Sequence, residues 1–322
     1  MAGSHPEGLA QAGTDDPAGM DDLAGMDDPA GMDDLAGLDD LAGLDDLAGL
    51  IQVIGAAPRR HLPVPGTLNF RDTGGYPTAD GGVTAWRRLF RSDGLHRLGQ
   101  GAVRGLGLRT VLDLRTSAET QIAPSPLDDL AAGGALTMHI SLTGDDLSAL
   151  PPDLTEIYDF IVDQRGSAIA AAIRSLARPG GLPGLVHCTA GKDRTGIVVA
   201  FALAAVGVPD QIIAADYALS SLYLDPQHTL TIGRVRESTG LGDRLTAALL
   251  ASPPELMLRV LARAREHGAR EHGAREHGAS EHGAREHGGS IAGYLASHGV
   301  TCAELTALRS ALVTQEEHDE GG

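Results

Sequence analysis

Basic residues are missing from the first 58 positions of this 322-residue chain, which hold thirteen acidic side chains and no Lys or Arg. The net charge of −18 therefore belongs mostly to that stretch, and the remainder carries 30 acidic against 25 basic groups, a balance of −5. A body so mildly acidic offers no broad cationic face, so nucleic acid is not an expected partner and any anion site must be local. Cysteine is scarce as well: Cys188 and Cys302 cannot build a disulfide framework. Aromatics make up only 3%, so Leu, Val, Ile and Ala must fill the core, and 42% apolar residues suffice for a sizeable one. No apolar run approaches the roughly 18 to 20 residues of a membrane span, and no basic flank with an apolar core marks a secretory signal.

What is present centres on the run His187-Cys188-Thr189-Ala190-Gly191-Lys192-Asp193-Arg194-Thr195-Gly196. A short apolar piece, Leu185-Val186, enters it and a long apolar helical pattern, Ile197 to Val208, leaves it, which reads as strand, tight loop and helix. Backbone N–H groups of a loop curling into a helix N-terminus favour a bound dianion. The same field favours the thiolate form of Cys188. Arg194 can grip two phosphate oxygens with its planar fork, which lysine cannot copy. The bland alternative is a buried cysteine in an ordinary strand-to-helix turn. A nucleotide-binding loop fails at both ends, because Val186 stands at its first glycine and Asp193 follows the lysine.

Cys-x5-Arg followed by Thr, in the longer form His-Cys-x-Ala-Gly-Lys-Asp-Arg-Thr-Gly, resembles the bacterial tyrosine-protein phosphatase family, whose members include lipid-active enzymes. Leu68-Asn69-Phe70-Arg71-Asp72-Thr73-Gly74-Gly75 and Leu89-Phe90-Arg91-Ser92-Asp93 resemble two further segments of that family. The resemblance covers about residues 59 to 263 and 288 to 313. It implies an α/β fold with a central, mostly parallel sheet, helices on both faces and an added helical subdomain that folds over the site as a lid. It also implies phosphomonoester hydrolysis through a cysteinyl-phosphate on Cys188. Arg194 and the backbone of Thr189, Ala190, Gly191 and Lys192 would hold the phosphate, and the Thr195 hydroxyl would donate to the sulfur. No cofactor or metal is expected. The substrate would be a phosphorylated protein, foremost phosphotyrosine, or a phosphoinositide, since Lys192 adds a cation inside the loop as in lipid-active members. A non-catalytic phosphate-binding module is the alternative from another class. A working thiolate needs reducing surroundings, which favours the cytoplasm. The oligomeric state stays open.

The general acid has two candidates. The best-known tyrosine phosphatases carry it on a Trp-Pro-Asp loop, whereas the single Trp86 here is followed by Arg87-Arg88. Asp193, beside Arg194, is the nearest candidate, and Asp113 the next. Thr110 to Leu114 reads as a strand, and Asp113 and Arg115 at its carboxyl end share one face, where ligand chemistry gathers in open α/β sheets. Asp113 is therefore also a candidate substrate-binding residue. Thr116 or Ser117 should cap a short helix with Glu119 as partner. His187 is expected to orient the loop rather than transfer protons, and Arg71 with Asp72 to form a structural ion pair.

Two repeat tracts lie outside this pattern. Residues 12 to 47 are six copies of Ala-Gly-x-Asp-Asp-Leu/Pro, with apolar residues every three positions. At about 100° per residue such a stripe drifts around a helix, so residues 1–58 are expected to be a disordered acidic tail and 59–322 the phosphatase domain. Five copies of Ala-Arg-Glu-His-Gly, one with Ser280, occupy 264–288 as an insertion. Successive histidines there point about 140° apart on a helix and share no face for a metal. Cys302 opens the last helical pattern and is expected to be a small core residue.

Overall fold

The computed structural model describes residues 46–224, 251–276 and 289–315. Its main sheet has five strands: β1 (Arg71–Asp72), β3 (Leu89–Ser92), β4 (Thr110–Asp113), β5 (Leu136–His139) and β6 (Gly184–His187). They lie in the order β1-β3-β6-β4-β5, all parallel except β1, which runs antiparallel to β3. The register aligns the carboxyl ends, with Ser92 opposite His187, His187 opposite Asp113 and Asp113 opposite His139. Cys188 therefore leaves the sheet from its centre, flanked by two other strand ends.

Successive strand residues point to opposite faces, and both faces are covered. Leu112 and Val186 join the larger core, built with α4 (Leu154–Gln164), α5 (Gly166–Ala177), α6 (Asp193–Ala205) and α7 (Asp210–Ala218). Val111 and Leu185 join a second core with Phe70, Phe90 and Leu130, the last from α3 (Leu127–Ala132). Arginines rather than aromatics are the largest fully buried side chains after this filling. A two-stranded sheet pairs β2 (Gly82–Thr84) with β7 (Val313–Gln315), which ties the segment after the last described helix to the turn region between β1 and β3.

Helical structure precedes the boundary expected near Arg59. Residues Leu47–Ala56 form α1, capped by the Asp46 carboxylate accepting from Ala48 N at 3.0 Å, and the helix packs on α7. The reason is a change of spacing: the three-residue stripe of the repeats gives way to Leu50 and Ile54, four apart, and both are buried. The pentapeptide tract is likewise not wholly an insertion. Its first copy lies inside the long helix α9 (Pro254–Glu276), with Ala264 buried. A side chain at Gly268 would press within 2.8 Å of the Tyr294 backbone nitrogen, so that glycine permits α9 to approach α10 (Ile291–Ser297). Copies beyond residue 276 lie outside the described residues, as do the helices expected at Leu230–Arg236 and Asp243–Leu250 and hence the lid. The helix expected from Asp210 to Leu224 divides into α7 and the short α8 (Ser220–Tyr223). The last helix, Cys302–Leu312, forms as expected, but Cys302 is exposed because its core face is Leu308 and Leu312.

Deleting residues 1–58 should therefore destabilise the protein relative to deleting 1–45. Two buried aliphatic side chains at about 1.5 to 3 kcal/mol each predict a loss of about 3 to 6 kcal/mol. Denaturant melts of the two truncations check this, and equal midpoints would return the boundary to residue 59.

Candidate active site

The loop after β6 is shaped by what grips its carbonyls. Thr189 O accepts from Gly94 N at 3.0 Å and Ala190 O from Asn69 Nδ2 at 3.0 Å. Gly191 O and Lys192 O accept from Arg91 Nη2 at 2.9 and 3.3 Å. In a planar trans peptide the next N–H points opposite to the carbonyl. Four consecutive carbonyls turned toward the β1–β3 side thus aim the N–H groups of Ala190, Gly191, Lys192 and Asp193 the other way. Gly191 has φ +67°, and a Cβ there would fall 2.3 Å from Ser92 O, so the turn requires glycine. Helix α6 begins immediately afterwards at Asp193, placing its amino end on the same loop.

Arg91 is itself held. Its Nη1 donates to Asp216 Oδ2 at 2.6 Å, while Arg71 Nε and the Tyr76 hydroxyl donate to Asp216 Oδ1 at 3.1 and 2.9 Å. Burial alone would raise the Asp216 carboxyl, but Arg71, Arg91 and Arg60 outweigh it and hold it well below the usual carboxylate range. The Arg71–Asp72 ion pair expected from sequence is not made. Asp72 instead accepts from the Gly74 and Arg87 backbone nitrogens, because Arg71 is drawn to the buried Asp216 on α7. Trp86 lies over Arg60, whose guanidinium sits 4.7 Å from the indole centroid.

Arg194 meets a partner that the sequence reading did not assign to the site. Its Nη1 and Nη2 donate to Glu119 Oε2 and Oε1 at 2.6 and 2.8 Å, and Thr189 Oγ1 also donates to Glu119 Oε1. Glu119 belongs to α2 (Ser117–Ile122), where it closes a capping box with Thr116. That box was the only sequence signal for it. Burial opposes charge on both groups, yet each is pushed toward its ionised form by the other: Arg194 up and Glu119 well down. Cys188 is 2% exposed at the start of the loop. The Thr195 hydroxyl is fully buried and makes no hydrogen bond among the described residues, to the Cys188 sulfur or otherwise.

Two expectations change. Lys192, placed in the loop as a cation for extra phosphates, has a fully buried side chain. Its Nζ donates to Ala251 O at 2.6 Å and lies 3.5 Å from Asp193 Oδ1, so it fastens the loop to the segment before α9. Asp113, offered as a substrate-binding residue and second candidate acid, spends its carboxylate on Arg115. Arg115 Nε donates to Oδ1 at 2.8 Å and Nη2 to Oδ2 at 2.6 Å, and this outweighs burial to keep Asp113 below its ordinary range. Asp193 instead accepts from the Tyr158 hydroxyl at 2.7 Å and keeps 17% of its side chain exposed. His187 is buried, its Nδ1 3.4 Å from Cys188 O and its Nε2 3.7 Å from Asp113 Oδ2. Burial outweighs the pull of Asp113 and takes the imidazole down to about 4, so it is neutral at neutral pH, in keeping with orientation rather than proton transfer.

A family model described as the tyrosine phosphatase family matches residues 62–314. The chain belongs to that family. It is 31% identical over 286 residues to the triple specificity protein phosphatase PtpB of Mycobacterium tuberculosis, covering 78% of this chain and 98% of that one. It is 30% identical over 222 residues to a tyrosine-protein phosphatase of Nostoc commune, with 66% and 68% covered. A putative tyrosine-protein phosphatase of Cupriavidus necator is 34% identical over 168 residues, with 48% and 60% covered. The protein is thus a cysteine-dependent tyrosine phosphatase with an α/β fold, as the loop sequence implied. No helix among the described residues is long and apolar enough to cross a membrane.

The buried Lys192 predicts that Lys192→Met lowers kcat/KM for phosphotyrosine and phosphoinositide substrates by factors within about threefold of each other. A loss confined to the lipid would restore the substrate-reading role. For His187, the folded value of about 4 lies below the ordinary 6.5. The unfolded chain therefore binds more protons between those values, and stability falls as pH drops through that window. Relative to His187→Gln, the wild type should lose about 2 kcal/mol between pH 7 and 5, read from paired denaturant melts.

Proposed function

We propose that the protein hydrolyses phosphotyrosine through a covalent phosphate on Cys188, with Asp193 as general acid and then general base. The observation that carries this is the run of outward-tied carbonyls from Thr189 to Lys192, which turns the following amides toward one dianion site closed by Arg194. The Cys188 thiolate attacks phosphorus, the ester P–O bond breaks, and the departing phenolate takes the Asp193 proton. The Asp193 carboxylate then removes a proton from water. That water attacks phosphorus, the P–S bond breaks and the thiolate is restored. Charge growing on the equatorial oxygens is met by loop amides and Arg194, whose orientation Glu119 sets.

Asp193 is preferred to Asp113 as the acid because a carboxylate locked in a bidentate arginine pair holds no proton to give near neutral pH. A reducing, cytoplasmic setting suits a thiol nucleophile. The mycobacterial relative is named for triple specificity, which supports including phosphoserine and phosphoinositide substrates in the assay panel.

Cys188→Ser should abolish turnover while retaining vanadate binding. Asp193→Asn should slow phosphotyrosine hydrolysis by about 100-fold or more, within the usual span for acid catalysis, and p-nitrophenyl phosphate hydrolysis far less. Steady-state kinetics on both substrates checks this. Retained turnover in Cys188→Ser removes the nucleophile, and the leaving-group pattern appearing in Asp113→Asn instead moves the acid.

A further inference from the structure

The helical face of the site carries two buried hydroxyls that the mechanism above leaves unused. Tyr158 of α4 and Tyr217 of α7 are 0% and 1% exposed, and their hydroxyl oxygens lie 3.0 Å apart. The Tyr158 hydroxyl is also 2.7 Å from Asp193 Oδ1. A phenol has one hydrogen to donate, and an ionised carboxylate can only accept. Tyr158 must therefore give its hydrogen to Asp193, which leaves Tyr217 to donate to the Tyr158 oxygen. The direction of the chain is fixed: Tyr217 to Tyr158 to Asp193 Oδ1. Burial raises both phenols well above their ordinary range, so both remain donors throughout the working pH.

We propose that Tyr158, backed by Tyr217, is the positioning residue of the acid, holding Asp193 Oδ1 as the accepting oxygen so that the transferred proton rides on Oδ2. The assignment rests on Asp193 being the general acid. A carboxylic acid can keep one oxygen as an acceptor while the other carries the proton, so the tyrosine bond survives both halves of the reaction and holds the carboxyl plane between them. Each hydroxyl polarises the next, which strengthens the terminal bond. The chain also favours the ionised form and so limits how far the acid can be used toward alkaline pH. Charged groups around Asp193 among the described residues include Lys192, whose Nζ is 3.5 Å from Oδ1, and the adjacent Arg194, itself paired with Glu119 of α2. From α4 and α7, Tyr158 and Tyr217 face it.

The test is the pH dependence of kcat/KM on phosphotyrosine for Tyr158→Phe, Tyr217→Phe, Asp193→Asn and the Tyr158→Phe/Asp193→Asn double variant, with p-nitrophenyl phosphate as the activated control. Phe keeps the ring and the packing and removes only the hydroxyl. Tyr158→Phe should move the basic limb to higher pH by about one unit, the shift expected when a carboxylate loses one strong donor. Tyr217→Phe should move it the same way by less, because it acts through Tyr158. In the Asp193→Asn background, Tyr158→Phe should change nothing further in the alkaline range. A limb unmoved in Tyr158→Phe while Asp193→Asn abolishes it would overturn the proposal. So would a uniform loss at every pH on both substrates, which marks a purely structural residue. If Asp193→Asn itself retains the basic limb, the acid assignment is what has failed, and this proposal falls with it. Should Tyr158→Phe not fold, Tyr217→Phe carries the same test, and no upward shift there overturns the proposal.

Discussion

Asp216 is the one buried carboxylate on which three separate parts of the site converge. Arg71 from β1, Tyr76 from the segment between β1 and β2, and Arg91 from β3 all donate to it, and α7 supplies it. Such a cluster is costly to bury and gains little as a stabilising pair. Its value here is geometric. With one nitrogen on Asp216, Arg91 has its other nitrogen free to hold two loop carbonyls, so the helix, the sheet edge and the loop share one fixed reference.

From that reference the loop's polarity follows. Nothing in the seven residues from Cys188 to Arg194 forces their amides to face one way, since a flexible loop would scatter them. The scatter is suppressed by donors outside the loop, at Asn69, Arg91 and Gly94, each tied to a carbonyl. Electrostatic preorganisation in this protein is thus a property of the strands and turns behind the loop rather than of the loop alone. Arg194 obeys the same logic, because Glu119 fixes its plane from a helix whose own start depends on that carboxylate.

The sheet and the loop were legible in sequence because both rest on local signals: β-branched runs, glycine and proline punctuation, and a dense motif. Asn69 and Arg91 lay within segments singled out by resemblance, but their role could not be read, since each acts across about a hundred residues of chain. Arg71 shows the limit clearly. Its sequence neighbour Asp72 was the natural ion-pair partner, and a carboxylate 145 positions away replaced it. Lys192 shows a related limit: membership of a loop does not determine what a long side chain reaches, and here its Nζ is buried against Ala251 O and beside Asp193. The helix ahead of Arg59 went unread because a repeat's periodicity hid the one turn, Leu50 to Ile54, where the spacing became helical.

The tethered carbonyls bear on how such a site can change over time. Because the phosphate grip is written in main-chain amides and the Arg194 side chain, the side chain at position 190 carries no part of it. Ala190 contributes its carbonyl to Asn69 and can be exchanged without disturbing that bond. Gly191 has no such freedom, with Ser92 pressed against it, and Thr189 has little, being bonded to Glu119. Of these three positions, 190 is therefore the one whose side chain can vary while the main-chain hold on the anion stays intact.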